Sequence, residues 1–575
     1  MWLCYCKRIG MTDWLRRYDL GSINGLVLIL LGVFFFLFML YPLSYVFSGA
    51  FFTDEGFSLV FFKLMLTGSN YREVLVNSLN LGLATTLLTT LLSLPLVLLL
   101  VRYEFPGKGL LSGLILIPMV LPPFVGAIGM RQLLARFGSI NLLLLQMGLI
   151  DQPIDWLGGG GFWSVVVLEV LHLYPIMYLN VAAALANVDP SLEEAARNMG
   201  ASGFKLFRTV TFPLMLPGYF AGAVIVFIWA FTDLGTPLVF EYREVIAVQI
   251  FNMVTDLHQN PMGYAFVVAV IALTLFFFYL SKRLIGGTRF EMLGRGHVTS
   301  SVRPASMRVT VLIYAVVLGI SALALLPHLG VLLTSLNGRW FLSVLPSEYT
   351  FRFYRDLLSH DLTLLSIKNS LILSTLSTIL DIFLGVAIAY LLARKRIPGK
   401  DVLDALAMLP LALPGLVIAF GYVAAFSGTP LDARQNPFPL LVIAYAVRRL
   451  PYMVRAAYAG FQQTSIALEE AAMNMGASPM RTLYQITFPL VLANLIAGAI
   501  LCFSFAMLEV SDSLILASKE QYYPITKAIY ALLGRIADGP YVASAMGMLG
   551  LVLLAGSLFV AGRFYGRRMG ELFRA

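Results

Sequence analysis

Across 575 residues the chain has only three cysteines and five histidines, and 12% of its residues are charged. Cys4 and Cys6 form a C-x-C pair and Cys502 stands alone, a spacing that builds neither a disulfide framework nor a zinc site. The scattered histidines offer no clustered nucleophile or metal centre, so a membrane-embedded enzyme ranks low. The shortage of charge excludes an ordinary soluble domain, in which about a quarter of residues are ionisable. What fills the space is apolar: 59% of the chain is hydrophobic and its mean hydropathy is +0.83.

A membrane-spanning helix needs about 20 mostly apolar residues, and about twelve such windows recur here. In the first half they fall near 25–46, 78–101, 109–130, 162–186, 213–231 and 263–280. In the second they fall near 309–332, 370–392, 402–425, 438–457, 489–507 and 541–560. The fold class expected is therefore an all-α polytopic membrane protein. No small-residue cleavage site follows the first window, so it reads as a retained span. "MTDWLRRYDL" reads as a natural beginning, which sets Met11 beside Met1 as an expected start of translation.

The formal net charge of +9 does not mark a nucleic-acid surface, because the basic residues sit at the ends of apolar spans. With the amino terminus in the cytoplasm, Arg16, Arg17, Arg102, Lys108, Arg197, Lys205, Arg208, Arg394 and Lys400 all fall inside. Arg131, Arg136, Arg339, Arg352 and Arg355 fall outside, so positive charge favours the inner face by balance.

The chain is written twice. "NSLNLGLATT" from Asn77 is echoed by "NSLILSTLST" from Asn369, "VRYEFPGKG" around Arg102 by "ARKRIPGKD" around Arg394, and Pro118 by Pro410. A second echo, "SLEEAARNMGAS" from Ser191 and "ALEEAAMNMGAS" from Ala467, is polar and helix-forming. Between 192–213 and 468–489, thirteen of twenty-two positions are identical, while the flanking spans have diverged. Six spans separate each element from its echo, and an even number of crossings returns the chain to one side, so the repeat is parallel. The expected organisation is a cytoplasmic segment 1–24, a first half 25–284, a basic linker 285–308 and a second half 309–575. The halves are expected to pack face to face around a shared pathway.

In the first copy, Asp189-Pro190 stops the preceding helix, and Ser191 stands three residues before Glu194 in capping-box spacing. Gly200 suits the left-handed position that ends a helix. In the second copy Gly476 is followed by Ser478-Pro479, an N-cap and a first-turn proline, while Thr464-Ser465 stand upstream in place of the missing serine. A short second helix is expected to end at Phe212-Pro213 and Phe488-Pro489. Each loop, 191–213 and 465–489, thus reads as a helix–turn–helix on the membrane surface. A generic amphipathic connector resting on lipid would look similar in a single copy, but two nearly identical copies point to two equivalent partners.

The pattern Glu-Ala-Ala, three residues, Gly, then an apolar stretch to Pro resembles the EAA loop of ABC importer permeases. The chain as a whole resembles the fused-dimer permeases of the ferric-iron, thiamine and 2-aminoethylphosphonate type. The resemblance implies that Glu194, Ala195, Ala196, Gly200 and Pro213, with Glu470, Ala471, Ala472, Gly476 and Pro489, form coupling helices. Glu194 and Glu470 would meet basic residues of the ATPase, and Gly200 and Gly476 would make the turns. It further implies two copies of a separate ABC ATPase at the cytoplasmic face, a periplasmic substrate-binding protein, and residence in the bacterial inner membrane. No G-x-x-x-x-G-K-[ST] loop occurs, and "FPGKG" at Phe105 is too short to be one, so ATP is expected to be bound by the partner subunits and no cofactor by this chain. Ferric iron leads the expected cargoes, followed by 2-aminoethylphosphonate, thiamine and polyamines.

Burying a charge in lipid costs on the order of 3 kcal/mol or more, so each ionisable residue in or beside a span is a candidate for the pathway. These are Glu169, His172, Asp233, Arg448, Glu509 and Asp512, with Arg449 beside them. Interface snorkelling or pairing between helices is the plainer alternative for each. A lone His172 is too little for a metal site. Pro118, Pro122 and Pro123, with Pro410 and Pro414, are expected to kink the third and ninth spans. "TDLGTPLVFEYREVIAVQIF" from Thr232 and "SDSLILASKEQYYPITKAIY" from Ser511 align in outward loops. An ion-coupled secondary transporter of twelve helices shares this symmetry, but it gives no reason for paired cytoplasmic loops.

Overall fold

The computed structural model describes residues 22–158, 161–255, 261–286, 303–535 and 538–565. The amino-terminal residues, most of the basic linker and the arginines beyond 565 lie outside the described residues. In the first half the principal helices are α1 (Ile23–Phe51), α2 (Ser69–Arg102), α3 (Lys108–Met119), α4 (Pro123–Gln146), α5 (Phe162–Ala186), α6 (Pro190–Asn198), α7 (Phe212–Thr232), α8 (Gly235–Val239), α9 (Ile246–Met253) and α10 (Met262–Gly286). The second half gives α11 (Met307–Ser335), α12 (Asp361–Arg394), α13 (Lys400–Ala412), α14 (Gly415–Ala425), α15 (Phe438–Gln463), α16 (Ile466–Asn474), α17 (Phe488–Met507), α18 (Ser511–Leu516), α19 (Ile525–Leu533) and α20 (Gly539–Tyr565). Sheet is confined to three two-stranded ladders among the described residues.

The chain is an all-α polytopic membrane protein. Among the described residues nine helices are long and apolar enough to cross a membrane, and eleven spans result if two sharply bent helix pairs each count as one. The expected count of twelve is not reached on these terms. The window at 438–457 does form a helix, the 26-residue α15, but Arg448, Arg449 and Arg455 lower its apolar character.

The third and ninth windows are broken rather than kinked. The α3/α4 pair bends by 91° and the α13/α14 pair by 102°. At the first break Pro122 and Pro123 stand together, so two successive residues lack an N–H and the residue before each is pushed out of helical conformation. At the second, Pro414 takes extended backbone (φ −60°, ψ 144°) and starts α14. Pro410 lies inside α13 without interrupting it.

Polarity along α2 is inverted relative to a soluble helix. Leu83, Leu87 and Leu91 are exposed at four-residue spacing, whereas Ser78, Thr85, Thr89 and Ser93 are buried. Small polar residues let helices approach one another, and the leucines are left for lipid.

Contacts divide the chain into two compact units. One gathers the described residues up to Ser58 with Leu365–Lys527 and those from Val552 on; the other gathers Leu59–Leu364 with Ala528–Leu551. In the first, α1 lies on α14: Tyr422 donates to Phe38 O at 2.8 Å and Tyr41 to Ala425 O at 3.3 Å. In the second, α11 lies on α4 so closely that a Cβ on Gly129 would fall 2.3 Å from Pro327 O, and one on Gly330 2.5 Å from Gly129 O. Each half therefore lends its first span to the unit built mainly by the other half.

The phrase Asn-Ser-Leu, present in both halves, has a structural use. Ser78 Oγ accepts from Ile246 N at 2.7 Å and Ser370 Oγ from Ile525 N at 2.8 Å, which caps the start of α9 and of α19 on the long helices α2 and α12. Asn369 adds bonds to Gln521 O at 2.9 Å and Tyr523 O at 3.2 Å.

Candidate functional site

The repeated loops fold alike. Helix α6 starts at Pro190 and its cap is Asp189, whose Oδ1 accepts from Ser191 N at 2.9 Å. That bond holds the Asp189 carboxyl below the usual carboxylate range. Ser191 therefore sits inside the first turn and the expected capping box with Glu194 does not form. A first-turn proline has no N–H to satisfy, which lets the helix begin two residues earlier, with Asp189 rather than Ser191 as its cap. In the second loop the corresponding cap is Ser465, accepting from Ala467 N at 3.3 Å.

Both helices end as expected on left-handed glycines, Gly200 at φ +87° and Gly476 at φ +88°. Beyond them Ala201 N donates to Ala196 O at 2.9 Å and Ala477 N to Ala472 O at 3.0 Å, the wide bond that closes such a terminus. Ala196 and Ala472 are buried, while Ala195 and Ala471 face outward. A second short helical turn follows, Gly203–Leu206 and Pro479–Thr482, the latter capped by Ser478 accepting from Arg481 N at 3.3 Å. The turn was expected to stop at the Phe-Pro pairs, but it runs into the next span through one wide π turn, Phe207–Thr211 and Leu483–Thr487. Pro213 and Pro489 then stand in the first turn of α7 and α17, where the ring needs no helical N–H and the widened turn makes room for it.

The two adjacent glutamates of each loop point opposite ways. Glu194 and Glu470 are exposed, in company with Met199 and Met475 at 83% and 82% exposure and with Phe204 and Tyr484. Glu193 is buried and tied to the end of α2. Arg102 donates to its Oε1 and, at 3.2 Å, to Thr211 Oγ1; Thr211 donates to the same Oε1 at 2.6 Å; Arg197 donates to Oε2 at 3.3 Å. Glu469 is tied in the same way to the end of α12: Arg394 Nε donates to its Oε1 at 2.9 Å and a terminal guanidinium nitrogen donates to Thr464 O at 2.7 Å. The Arg394 guanidinium also lies 5.9 Å from the Phe461 ring centroid. Sequence reasoning aligned Arg102 with Arg394 but did not link them to Glu193 and Glu469. The signal that could have found the pairing is that both members of the pair, the arginine and the glutamate, are kept in both copies.

The intramembrane polar residues fall into separate groups. Glu169, on α5, accepts from Thr236 Oγ1 at 2.9 Å, and Thr236 N donates to Asp233 Oδ2 at 2.8 Å, so these two acids share one threonine. His172 Nδ1 lies 3.2 Å from Pro118 O and faces a cavity of about 10 Å³, room for one water, which His328 also lines. In the other unit Glu509 is paired with both Arg448 and Arg449, and Asp512 Oδ2 lies 3.6 Å from Arg448. Asp381, fully buried beside Arg449 and Cys502, was missed, although it is the only acid within an apolar run of α12. Among the described residues no three metal-ligating side chains converge.

Comparison with known proteins adds the following. The family model described as "Binding-protein-dependent transport system inner membrane component" matches twice, over residues 94–289 and 381–569. The chain is 27% identical to the ferric transport system permease protein FbpB of Actinobacillus pleuropneumoniae, over 93% of this chain and 77% of that protein. It is 28% identical to the putative ferric transport system permease protein FbpB 1 of Haemophilus influenzae, over 87% of this chain and 79% of that protein. Among solved structures, a chain of a bacterial ABC transporter involved in the import of the acidic polysaccharide alginate aligns at a TM-score of 0.38 and 17% identity, covering 48% of this chain and 98% of that one.

Proposed function

From the premise that the chain belongs to the binding-protein-dependent transport system inner membrane component family, and is the fused two-domain permease of an ABC importer, we propose that it carries ferric iron across a bacterial inner membrane. The cargo reading is supported by the two relatives named for ferric transport. On this reading the amino terminus and both loops are cytoplasmic, a periplasmic binding protein delivers the iron, and ATP is hydrolysed by two copies of a separate subunit. Glu194 and Glu470 are the carboxylates offered to those subunits, with Ala195, Ala471 and the neighbouring methionines as the apolar part of the contact.

The observation that carries the coupling role is the matched outward face of the two loops, an exposed glutamate and an exposed methionine just before the left-handed glycine in each, while the adjacent glutamate is bound within the chain. A charged rim around an apolar centre suits a protein partner better than a lipid surface. When the ATPase subunits close on ATP, the loops move as rigid bodies and the spans re-pack to open the path to alternate sides. Glu169 with Asp233, and Arg448 with Glu509 and Asp512, are the polar groups proposed to line that path. The acids are the ones suited to a cation, and the arginines neutralise the others.

The test is uptake of radioactive ferric iron into proteoliposomes holding the permease with its ATPase and binding protein. Replacing Glu194 and Glu470 together by arginine should reduce binding-protein-stimulated ATP hydrolysis at least tenfold while the permease remains folded. Unchanged stimulation sinks the coupling assignment, and absence of iron uptake by the unaltered complex sinks the cargo.

A further inference from the structure

A loop fastened only where the chain enters and leaves it can pivot about the line through those two points. In both loops a third fastening lies off that line. Glu193 is held by Arg102, the last residue of α2, and Glu469 by Arg394, the last residue of α12. Resting on the reading of the loops as docking sites, we infer that these two ion pairs are the linkages that pass loop movement to the long helices. Arg102, Glu193, Arg394 and Glu469 are thus positioning residues for transport, acting through the loops rather than on the cargo.

Three features separate this linkage from an ordinary surface ion pair, which contributes little and is easily exchanged with water. Both glutamates are largely enclosed, with side-chain exposures of 9% and 12%, so water is no ready substitute for the arginine. Each arginine also bonds a third element: Thr211 at the foot of α7 in one unit, Thr464 at the end of α15 in the other. Each knot therefore joins a span end, the loop helix and an adjoining span, and planar guanidinium forks hold such geometry more rigidly than a lysine does. Finally, the knot occurs twice, although the partners around it differ: Thr211 donates to Glu193 in the first, and Arg394 stacks over Phe461 in the second. Divergence of the surroundings with retention of the pair is what a common mechanical duty would leave.

The long helices are the elements on which such movement acts. Helices α2 and α12, 34 residues each, carry Ser78 and Ser370 near their far ends, where they cap α9 and α19. A displacement entering at Arg102 or Arg394 therefore reaches α9 or α19 through one continuous helix and one hydrogen bond. The Arg-to-Ser separation is 24 residues in both halves, about 36 Å along a helix.

The experiment uses the assembled importer in proteoliposomes and reads ATP hydrolysed per iron taken up. Glu193→Gln with Glu469→Gln keeps the shape of each side chain and removes its charge. We expect the ATPase subunits to co-purify as before, iron uptake to fall at least tenfold, and the ATP-to-iron ratio to rise by a similar factor. Arg102→Lys with Arg394→Lys, which retains the charge but loses the guanidinium fork, should give an ATP-to-iron ratio between those of the parent and the double glutamine variant. A wild-type ratio in the double glutamine variant overturns the linkage. So does parallel loss of uptake and hydrolysis with an unchanged ratio, which marks a merely structural role. Failure of the unaltered permease to bind its ATPase would instead count against the reading of the loops.

Discussion

At the residue scale the two loops turn on a single step along a helix. Glu193 and Glu194 are successive residues about 100° apart around α6, and that rotation sends one carboxylate inward to Arg102 and the other to solvent. The pair of glutamates is legible in the sequence, but which of them is bound within the chain depends on where α2 ends. Gly200 and Gly476 were legible for a local reason, because only glycine adopts their left-handed backbone without strain. Ser191 misled because Asp189 and Pro190 compete with it for the same role and win. Lys527 offers a prediction at this scale. It donates to Leu514 O at 2.8 Å and lies over the Tyr523 ring, and burial pushes its ammonium down to about 8 from an ordinary 10.5. The unfolded chain then binds more protons than the folded one between pH 8 and 10.5, so stability rises with pH across that window. Lys527→Met should stabilise the purified protein at pH 7 by up to about 3 kcal/mol, less the lost hydrogen bond, read as a higher thermal midpoint. The advantage should vanish above pH 10.5, and an advantage independent of pH counts against a charge-desolvation cause.

At the element scale the spans were placed by hydropathy, and their breaks by proline. The windows at 109–130 and 402–425 contain the right residues, yet averaging over an apolar window cannot see a turn of 91° or 102° within it. Only the neighbouring helices decide whether a proline pair bends a span or breaks it. The wide turns at Phe207–Thr211 and Leu483–Thr487 were equally hidden, since nothing in composition separates a π turn from an α turn. Close packing of α4 on α11 rests on Gly129 and Gly330. Gly129→Leu should therefore abolish a monodisperse, heat-stable protein or lower its thermal midpoint by many degrees. Gly113→Leu, at a site with nothing within 4 Å of a new Cβ, should leave that midpoint within about a degree. Equal behaviour of the two variants, followed by size-exclusion chromatography and thermal unfolding, would refute the packing role.

At the scale of the whole molecule the repeat and the packing divide the chain differently. The repeat separates a first half from a second near the linker, whereas the compact units exchange first spans, with α1 on α14 and α11 on α4. A chain severed in the linker at 285–308 should accordingly be recovered as two co-purifying fragments when both are expressed together. Each fragment expressed alone should aggregate or be degraded, because it then lacks the cover that the other half's first span provides. Independent accumulation of either fragment as a folded monomer, read by size-exclusion chromatography, would contradict this.

By itself the sequence determined the membrane setting, the doubled organisation, the loops and their terminating glycines, because each depends on composition, on a repeated string or on residues within one turn of each other. The pairing of Arg102 with Glu193 and Arg394 with Glu469, the exchange of first spans and the gathering of Arg448, Arg449, Glu509 and Asp512 were decided by tertiary structure. The members of those ion pairs are 60 to 91 residues apart along the chain, and an apolar pattern fixes that a helix is buried without fixing what it is buried against.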